Sequence, residues 1–287
     1  MSPSTDTPSY RAALRIGARA ADGGALGDEL RGVAIGADRR IYAAVDSMIR
    51  VFEADGTPVR DWPTSRPAQA VAVDADGSVW VGELRRVEVF EPDGTVRETW
   101  DHDDGLGLVT AIGLTADDVF LADASARWVH RYDRQGKRRN HIGDRHRKGG
   151  FHIPNGVVDF AIDAAGVVHV ANPGMHRVER YAADGTLLSW FGRFDGQDPA
   201  GFPGCCNPTN LTIDAAGRVI VTEKAGPRVK IYDPEGGLIC VVATDVFDPA
   251  AKNMDVAVDV EGRIVVADTA RGEIVVFEST GAGEVAP

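Results

Sequence analysis

Six apolar triplets recur along the chain: Val33-Ala34-Ile35, Val71-Ala72-Val73, Ile112-Gly113-Leu114, Phe160-Ala161-Ile162, Leu211-Thr212-Ile213 and Val256-Ala257-Val258. Their first positions lie 38, 41, 48, 51 and 45 residues apart. A period of about 40 to 50 residues built from short strands is the spacing of propeller blades. After each triplet comes a turn such as Asp74-Ala75-Asp76-Gly77 or Asp214-Ala215-Ala216-Gly217. A second run rich in β-branched and aromatic residues follows, for example Val79-Trp80-Val81 or Val219-Ile220-Val221, which is strand chemistry rather than helix chemistry.

The third strand of every unit ends in an aromatic: Phe52, Phe90, Tyr132, Tyr181, Tyr232 and Phe277. Most units then turn through a glycine into a fourth strand, which carries Trp62, Trp100, Ile142, Phe191 or Val242 at a matching position. The sixth unit has no such strand, and Tyr10 to Ile16 is a spare one. The expected fold is therefore all-β, a six-bladed propeller of four-stranded antiparallel blades whose last blade is closed by the N-terminal strand. Closure removes the open sheet edges that would invite aggregation. The propeller is expected over residues 10–279, with flexible tails at 1–9 and 280–287.

Ala171-Asn172-Pro173-Gly174-Met175-His176-Arg177-Val178, following IDAAGVVHV, resembles an NHL repeat, and the resemblance extends over nearly the whole chain. It implies a six-bladed β-propeller. NHL-type propellers include scaffolds, sensor domains, RNA-binding modules and lyases, so the likeness leaves chemistry to the site. The propeller lyases include peptidyl-amidoglycolate lyase and virginiamycin B lyase; the zinc of the former is held by three histidines, which have no match here. The lactonase-type propellers offer a Glu/Asn/Asp metal cluster, echoed by Asp159, Asn210 and Asp255 with Glu29 as a fourth member.

Composition narrows the function classes. The formal net charge is -12, a field that repels nucleic acid and anionic membranes. The basic run from Lys137 to Lys148 reads as a solvated strand edge and loop. The N-terminal MSPSTDTPS holds no apolar segment, and with no run near the roughly 20 apolar residues of a spanning helix the expected location is cytoplasmic. Three cysteines, two of them adjacent, do not make a disulfide framework.

Site residues follow from the repeat. The residues just before the six triplets are Gly32, Ala70, Ala111, Asp159, Asn210 and Asp255. The last three bear oxygen and should sit on adjacent blades around one mouth of the channel, where they suit a hard cation such as calcium or a carboxylate pair; alternatively each caps a loop amide. The longest loops leading into a blade are Gly143 to Asn155 and Arg193 to Asn207, and long loops on a rigid scaffold carry function. The second holds Cys205 and Cys206, whose thiols suit copper, zinc or covalent catalysis, a vicinal disulfide that needs a strained small ring, or an inert buried pair. His152 and His176 are candidate ligands or general bases.

The candidate catalytic set is therefore His152, Cys205, Cys206, Glu223 and Lys224. Asn155, Asn210, His176 and Arg228 are candidates for substrate binding. Cys205, Cys206, His152, Asp159 and Asp255 are candidates for metal binding, with copper, zinc or calcium as the ion. Glu83, Asp123, Asn172, Glu223 and Asp268 end the second strands and read as loop caps, Glu223 excepted, since Lys224 and Arg228 beside it suit an anionic substrate. His169 reads as a satisfied core ring, His130 as part of an exposed strand face and Cys240 as an outer-strand residue without a role. The expectation is a small-molecule enzyme, a metal-dependent lyase or hydrolase working beside the Cys205-Cys206 loop without nucleic-acid or membrane partners. The alternative is a platform for a protein or peptide partner, with Phe151, Phe191, Phe194 and Phe202 as an exposed patch.

Overall fold

A computed structural model describes residues 8–17, 26–101, 105–143 and 150–280. Its 24 strands form six four-stranded antiparallel sheets. Blade 1 is β2 to β5 (Leu30–Ile35, Ile41–Val45, Met48–Phe52, Pro58–Pro63), and blade 2 is β6 to β9 (Ala70–Val73, Val79–Glu83, Arg86–Phe90, Val96–Asp101). Blade 3 is β10 to β13 (Val109–Leu114, Asp118–Asp123, Trp128–Asp133, Arg138–Ile142), and blade 4 is β14 to β17 (Asp159–Ile162, Val168–Asn172, Arg177–Tyr181, Leu187–Phe191). Blade 5 is β18 to β21 (Asn210–Ile213, Val219–Glu223, Arg228–Tyr232, Leu238–Ala243). Blade 6 combines β22 to β24 (Val256–Val258, Ile264–Asp268, Glu273–Ser279) with β1 (Tyr10–Ile16) as its outer strand.

The closing strand β1 pairs antiparallel with β24 from Tyr10↔Ser279 to Ile16↔Ile274. The pairing runs past the expected boundaries: the Thr280 amide donates to the Ser9 carbonyl at 2.9 Å. The outer tails at 1–7 and 281–287, and residues 144–148 of the basic run, lie outside the described residues. Among the described residues no helix is long and apolar enough to cross a membrane.

The aromatic columns of the repeat explain how blades pack. Trp62 of blade 1 meets Phe90 of blade 2 at 5.9 Å between ring centroids, Trp100 meets Tyr132 at 6.2 Å, and Phe191 meets Tyr232 at 5.2 Å. The fourth-strand residue of one blade thus packs on the third-strand residue of the next, each ring contributing about 1.5–3 kcal/mol through burial. The turn glycine between those strands is required by the same contact. At Gly236 (φ +97°) an added Cβ would lie 2.4 Å from the Phe191 side chain, and at Gly94 (φ +90°) 2.8 Å from Trp62.

The inner strands are tied by polar bonds that cross from blade to blade. The Thr110 hydroxyl of blade 3 donates to the Val158 carbonyl at 2.7 Å, and Asp159 of blade 4 accepts the Leu211 amide at 2.7 Å. The Thr222 hydroxyl of blade 5 donates to the Met254 carbonyl at 2.7 Å, and Asp255 of blade 6 accepts the Val33 amide at 2.8 Å. This belt fixes the inner strands around a central channel of about 310 Å³.

A second polar feature corrects the sequence reading of His130. Glu88, His130, Glu179 and Lys230, equivalent residues of the third strands, are buried rather than exposed. A blade's middle strands are covered on both faces by neighbouring blades, so a polar residue there is enclosed. Each meets the residue ending the second strand diagonally across the sheet: Asp123 with His130 (3.5 Å), Asn172 with Glu179 (3.1 Å) and Glu223 with Lys230 (2.7 Å). In blade 2 the pair is Glu83 and Glu88, two acids.

Candidate functional site at the channel mouth

Asp159 and Asp255 both line the central channel, from blades that flank blade 5. The shared position just ahead of the inner apolar triplet puts them there, and the small Gly32, Ala70 and Ala111 of blades 1 to 3 leave room. A Cβ on Gly32 would already stand 3.3 Å from Asp255 Oδ2. Each carboxylate caps the inner strand of the following blade, as the loop-cap alternative expects. Asp159 Oδ2 accepts the Leu211 amide, and Asp255 accepts the Val33 amide on Oδ2 and the Val256 amide on Oδ1 at 2.9 Å.

Capping does not account for their electrostatics. Burial, and then the charge of Asp255, hold the Asp159 carboxyl well above the usual carboxylate range. Burial pushes Asp255 up to about 6 against the pull of its two backbone donors. Like charges without a countercharge favour a shared proton or a bound cation. Asn210, on β18 between them, is buried, and its Oδ1 is without a donor. An acceptor left bare in this way costs about 1–3 kcal/mol unless something satisfies it.

The loops leading into blades 4 and 6 meet across the front of blade 5. Asn155 Nδ2 donates to Asn253 Oδ1 at 2.7 Å, Asn253 Nδ2 donates to the Asn155 carbonyl at 3.3 Å, and Asn155 Oδ1 is buried without a donor. Asn253 escaped the sequence reading; it stands two residues before Asp255, while Asn155 stands four before Asp159, so the repeat does not align them.

The structure does not join the cysteines, His152 and the two aspartates into one metal centre. Among the described residues no group of three or more His, Cys, Asp or Glu side chains is arranged to hold a metal ion. His152 packs on Gly174 of its own blade, whose amide donates to the His152 carbonyl at 2.9 Å. His176 adopts a left-handed backbone (φ 54°) and sets its ring 5.1 Å from Phe194. Glu29 is exposed and pairs with Arg31 at 2.9 Å, so it is not a fourth member of the mouth.

The anion site expected at Glu223, Lys224 and Arg228 is also corrected. Glu223 is fully buried and forms ion pairs with Arg228 and Lys230, so Arg228 is engaged in the blade interior. Lys224 lies instead beside the cysteines, where its charge acts on both thiols. Asn207 fastens that loop: its Nδ2 donates to the carbonyls of Pro203 and Lys224, and its Oδ1 accepts the Lys224 amide at 2.8 Å.

Among the remaining expectations, His169 is buried with Nε2 2.9 Å from Asp163 Oδ2, and Cys240 is buried. Asp123 and Asp268 do cap loops: Asp123 accepts the Gly107, Ser125 and Ala126 amides, and Asp268 accepts the Asp248 amide. The aromatic patch fails, because Phe151, Phe191 and Phe202 are buried and Phe194 alone of the four is exposed. The first three pack between blades, where size favours burial over display.

No family model matches the chain, and no curated protein matches it. The NHL resemblance therefore stands on the sequence pattern, while the fold has many solved relatives. The chain is similar to a streptogramin B lyase at 12% identity, over 94% of this chain and 98% of that one, with a TM-score of 0.63. It is similar to a gluconolactonase from Xanthomonas campestris at 16% identity, over 94% and 98%, with a TM-score of 0.67. It is also similar to a protein of unknown function from Bacteroides thetaiotaomicron at 16% identity, over 96% and 75%, with a TM-score of 0.71. At these identities the likeness establishes the six-bladed fold.

Proposed function

We propose that this chain is a small-molecule hydrolase or lyase that works at the channel mouth, with Asp159, Asn210 and Asp255 holding a hard divalent cation such as calcium. The observation that carries this is a pair of buried carboxylates whose proton affinity is raised, Asp255 by burial and Asp159 by burial and the charge of Asp255, together with an amide oxygen that has no donor. Oxygen donors of this kind suit calcium better than copper or zinc. Propeller neighbours that include a lyase and a gluconolactonase are consistent with an enzymatic use of the fold.

A cation bound there supplies Lewis-acid polarisation of a substrate carbonyl or acidification of a bound water. The chain's own residues orient the centre. The Leu211 amide holds one oxygen of Asp159 and the Val33 and Val256 amides hold both oxygens of Asp255, which fixes the orientation of the two carboxylates. The Asn155–Asn253 bridge ties together the loops that lead into blades 4 and 6. A channel of about 310 Å³ accepts a small ligand or one end of a larger one.

The test is turnover of a panel of small lactones, esters and lyase substrates by wild type and Asp255→Asn, with calcium and with chelator. The expected result is activity that falls by about a hundredfold or more in the variant and on chelation, since Lewis-acid stabilisation amounts to several kcal/mol. Turnover insensitive to both would remove the proposal.

A further inference from the structure

Cys205 and Cys206 form a feature that the channel-mouth chemistry does not use. Their Sγ atoms lie 3.0 Å apart, with Cys205 exposed and Cys206 buried. Two sulfurs held by a tetrahedral zinc at about 2.3 Å each would stand about 3.8 Å apart, wider than this pair. A disulfide closes to about 2.05 Å, so the pair needs only about one ångström of approach. The loop is held against the β19–β20 turn by the three Asn207 bonds, which keep both thiols beside Lys224.

The two thiols are unequal in the way an oxidation site requires. The hydrogen bond from the Cys206 thiol, together with the Lys224 charge, lowers Cys205 below the ordinary thiol range. Burial and the same hydrogen bond raise Cys206. One sulfur is thus an accessible nucleophile and the other a protected partner at contact distance, the arrangement of an attacking and a resolving cysteine. Cys240 provides the contrast: it is buried, and its thiol is pushed up to about 11.

We propose that Cys205-Cys206 is a reversible oxidation site, in which a hydroperoxide oxidises Cys205 and Cys206 resolves it to a vicinal disulfide. In the first step the Cys205 thiolate attacks the terminal peroxide oxygen. The S–O bond forms, the O–O bond breaks, and the leaving alkoxide or hydroxide takes a proton from solvent to become an alcohol or water. In the second step the Cys206 sulfur, losing its proton to solvent, attacks the Cys205 sulfur. The S–S bond forms, the S–O bond breaks, and the departing hydroxide leaves as water. The two thiols lose two electrons together and the peroxide gains them. The eight-membered ring joining adjacent residues is strained, so a dithiol reductant reverses the bond readily.

The experiment treats the full-length protein, fully reduced, with a small excess of hydrogen peroxide and follows it by thiol titration under denaturing conditions and by peptide mass spectrometry. Two of the three thiols are expected to disappear. A single peptide holding Cys205 and Cys206 should lose about 2 Da, and dithiothreitol should restore both thiols. In Cys206→Ser, Cys205 should instead accumulate as a sulfenic acid trapped by a dimedone probe, and Lys224→Met should slow the wild-type reaction several-fold. Persistence of all three thiols, or direct passage of Cys205 to the sulfinic acid with Cys206 present, would overturn the proposal. So would a disulfide joining separate chains. The Lys224→Met arm keeps the test valid even if a cysteine variant folds poorly.

Discussion

Lys230 Nζ lies 2.7 Å from Glu223 Oε1, with neither side chain reaching solvent. The ammonium also donates to the Gly201 carbonyl at 2.6 Å, and Arg228 holds the other side of the carboxylate. Two ions inside a β-blade are tolerated because each is the other's countercharge. Removing one leaves an uncompensated buried charge, which is the costly case. Lys230→Met is therefore expected to destabilise the protein by about 3 kcal/mol, the lower end for a broken buried pair because Arg228 remains. Adding Glu223→Gln should recover part of the loss. Urea unfolding of the two single variants and the double one provides the check, and a neutral Lys230→Met would mean that the pair is idle.

The same position in blade 2 sets two acids together, with the opposite consequence. Burial, with the charge of Glu88 added, pushes Glu83 up to about 7 against the pull of the Arg66 amide on it. Its Oε2 is buried without a partner. An unfolded glutamate titrates near 4.3, so between roughly pH 4 and 7 the folded state binds the additional proton and stability falls as pH rises through that window. Glu83→Gln keeps the shape and carries no proton to lose. Its melting temperature should match wild type near pH 4 and exceed it at pH 8, by on the order of 3 kcal/mol in stability. Parallel pH curves for the two proteins would refute this.

Much of the fold was legible because its determinants are local and repeated. Alternating strands, turn glycines and the aromatics at Phe90, Tyr132 and Tyr232 each recur in register, and counting strands alone assigned Tyr10–Ile16 to blade 6. That Asp159 and Asp255 line the channel was legible for the same reason, since equivalent positions must ring one axis. The burial of Lys230 and Glu179 was not. Strand alternation marks one face as polar without saying that the next blade covers it, and the compensating partner arrives from the neighbouring strand. The Asn155–Asn253 bridge joins residues 98 apart in sequence through two irregular loops, which no periodicity encodes. His152 and Cys205 were grouped from loop length, but loop length does not fix where a loop folds back.

Closure by β1 makes a graded prediction about its two faces. Ile16 is buried and pairs with Ile274, whereas the Arg11–Glu278 ion pair at 3.6 Å is exposed. Ile16→Ala should cost about 2–3 kcal/mol through the cavity it leaves. Arg11→Ala should cost no more than about 0.5 kcal/mol, because exposed pairs are weakly coupled and screened. Thermal unfolding separates these outcomes, and equal effects would argue that β1 is not clamped in the core.

The channel-mouth centre is tested most directly by calorimetric titration of metal-free protein with calcium, repeated in buffers of different ionisation enthalpy. One calcium is expected to bind wild type at pH 7.5, and binding is expected to be lost in Asp159→Asn and Asp255→Asn. Near pH 6 binding should also release a proton, because Asp255, at about 6, and Asp159 above its usual range hold protons that a cation displaces; the release should shrink as pH rises toward 8. Absence of binding by the folded wild type, or equal binding by both asparagine variants, would contradict the centre.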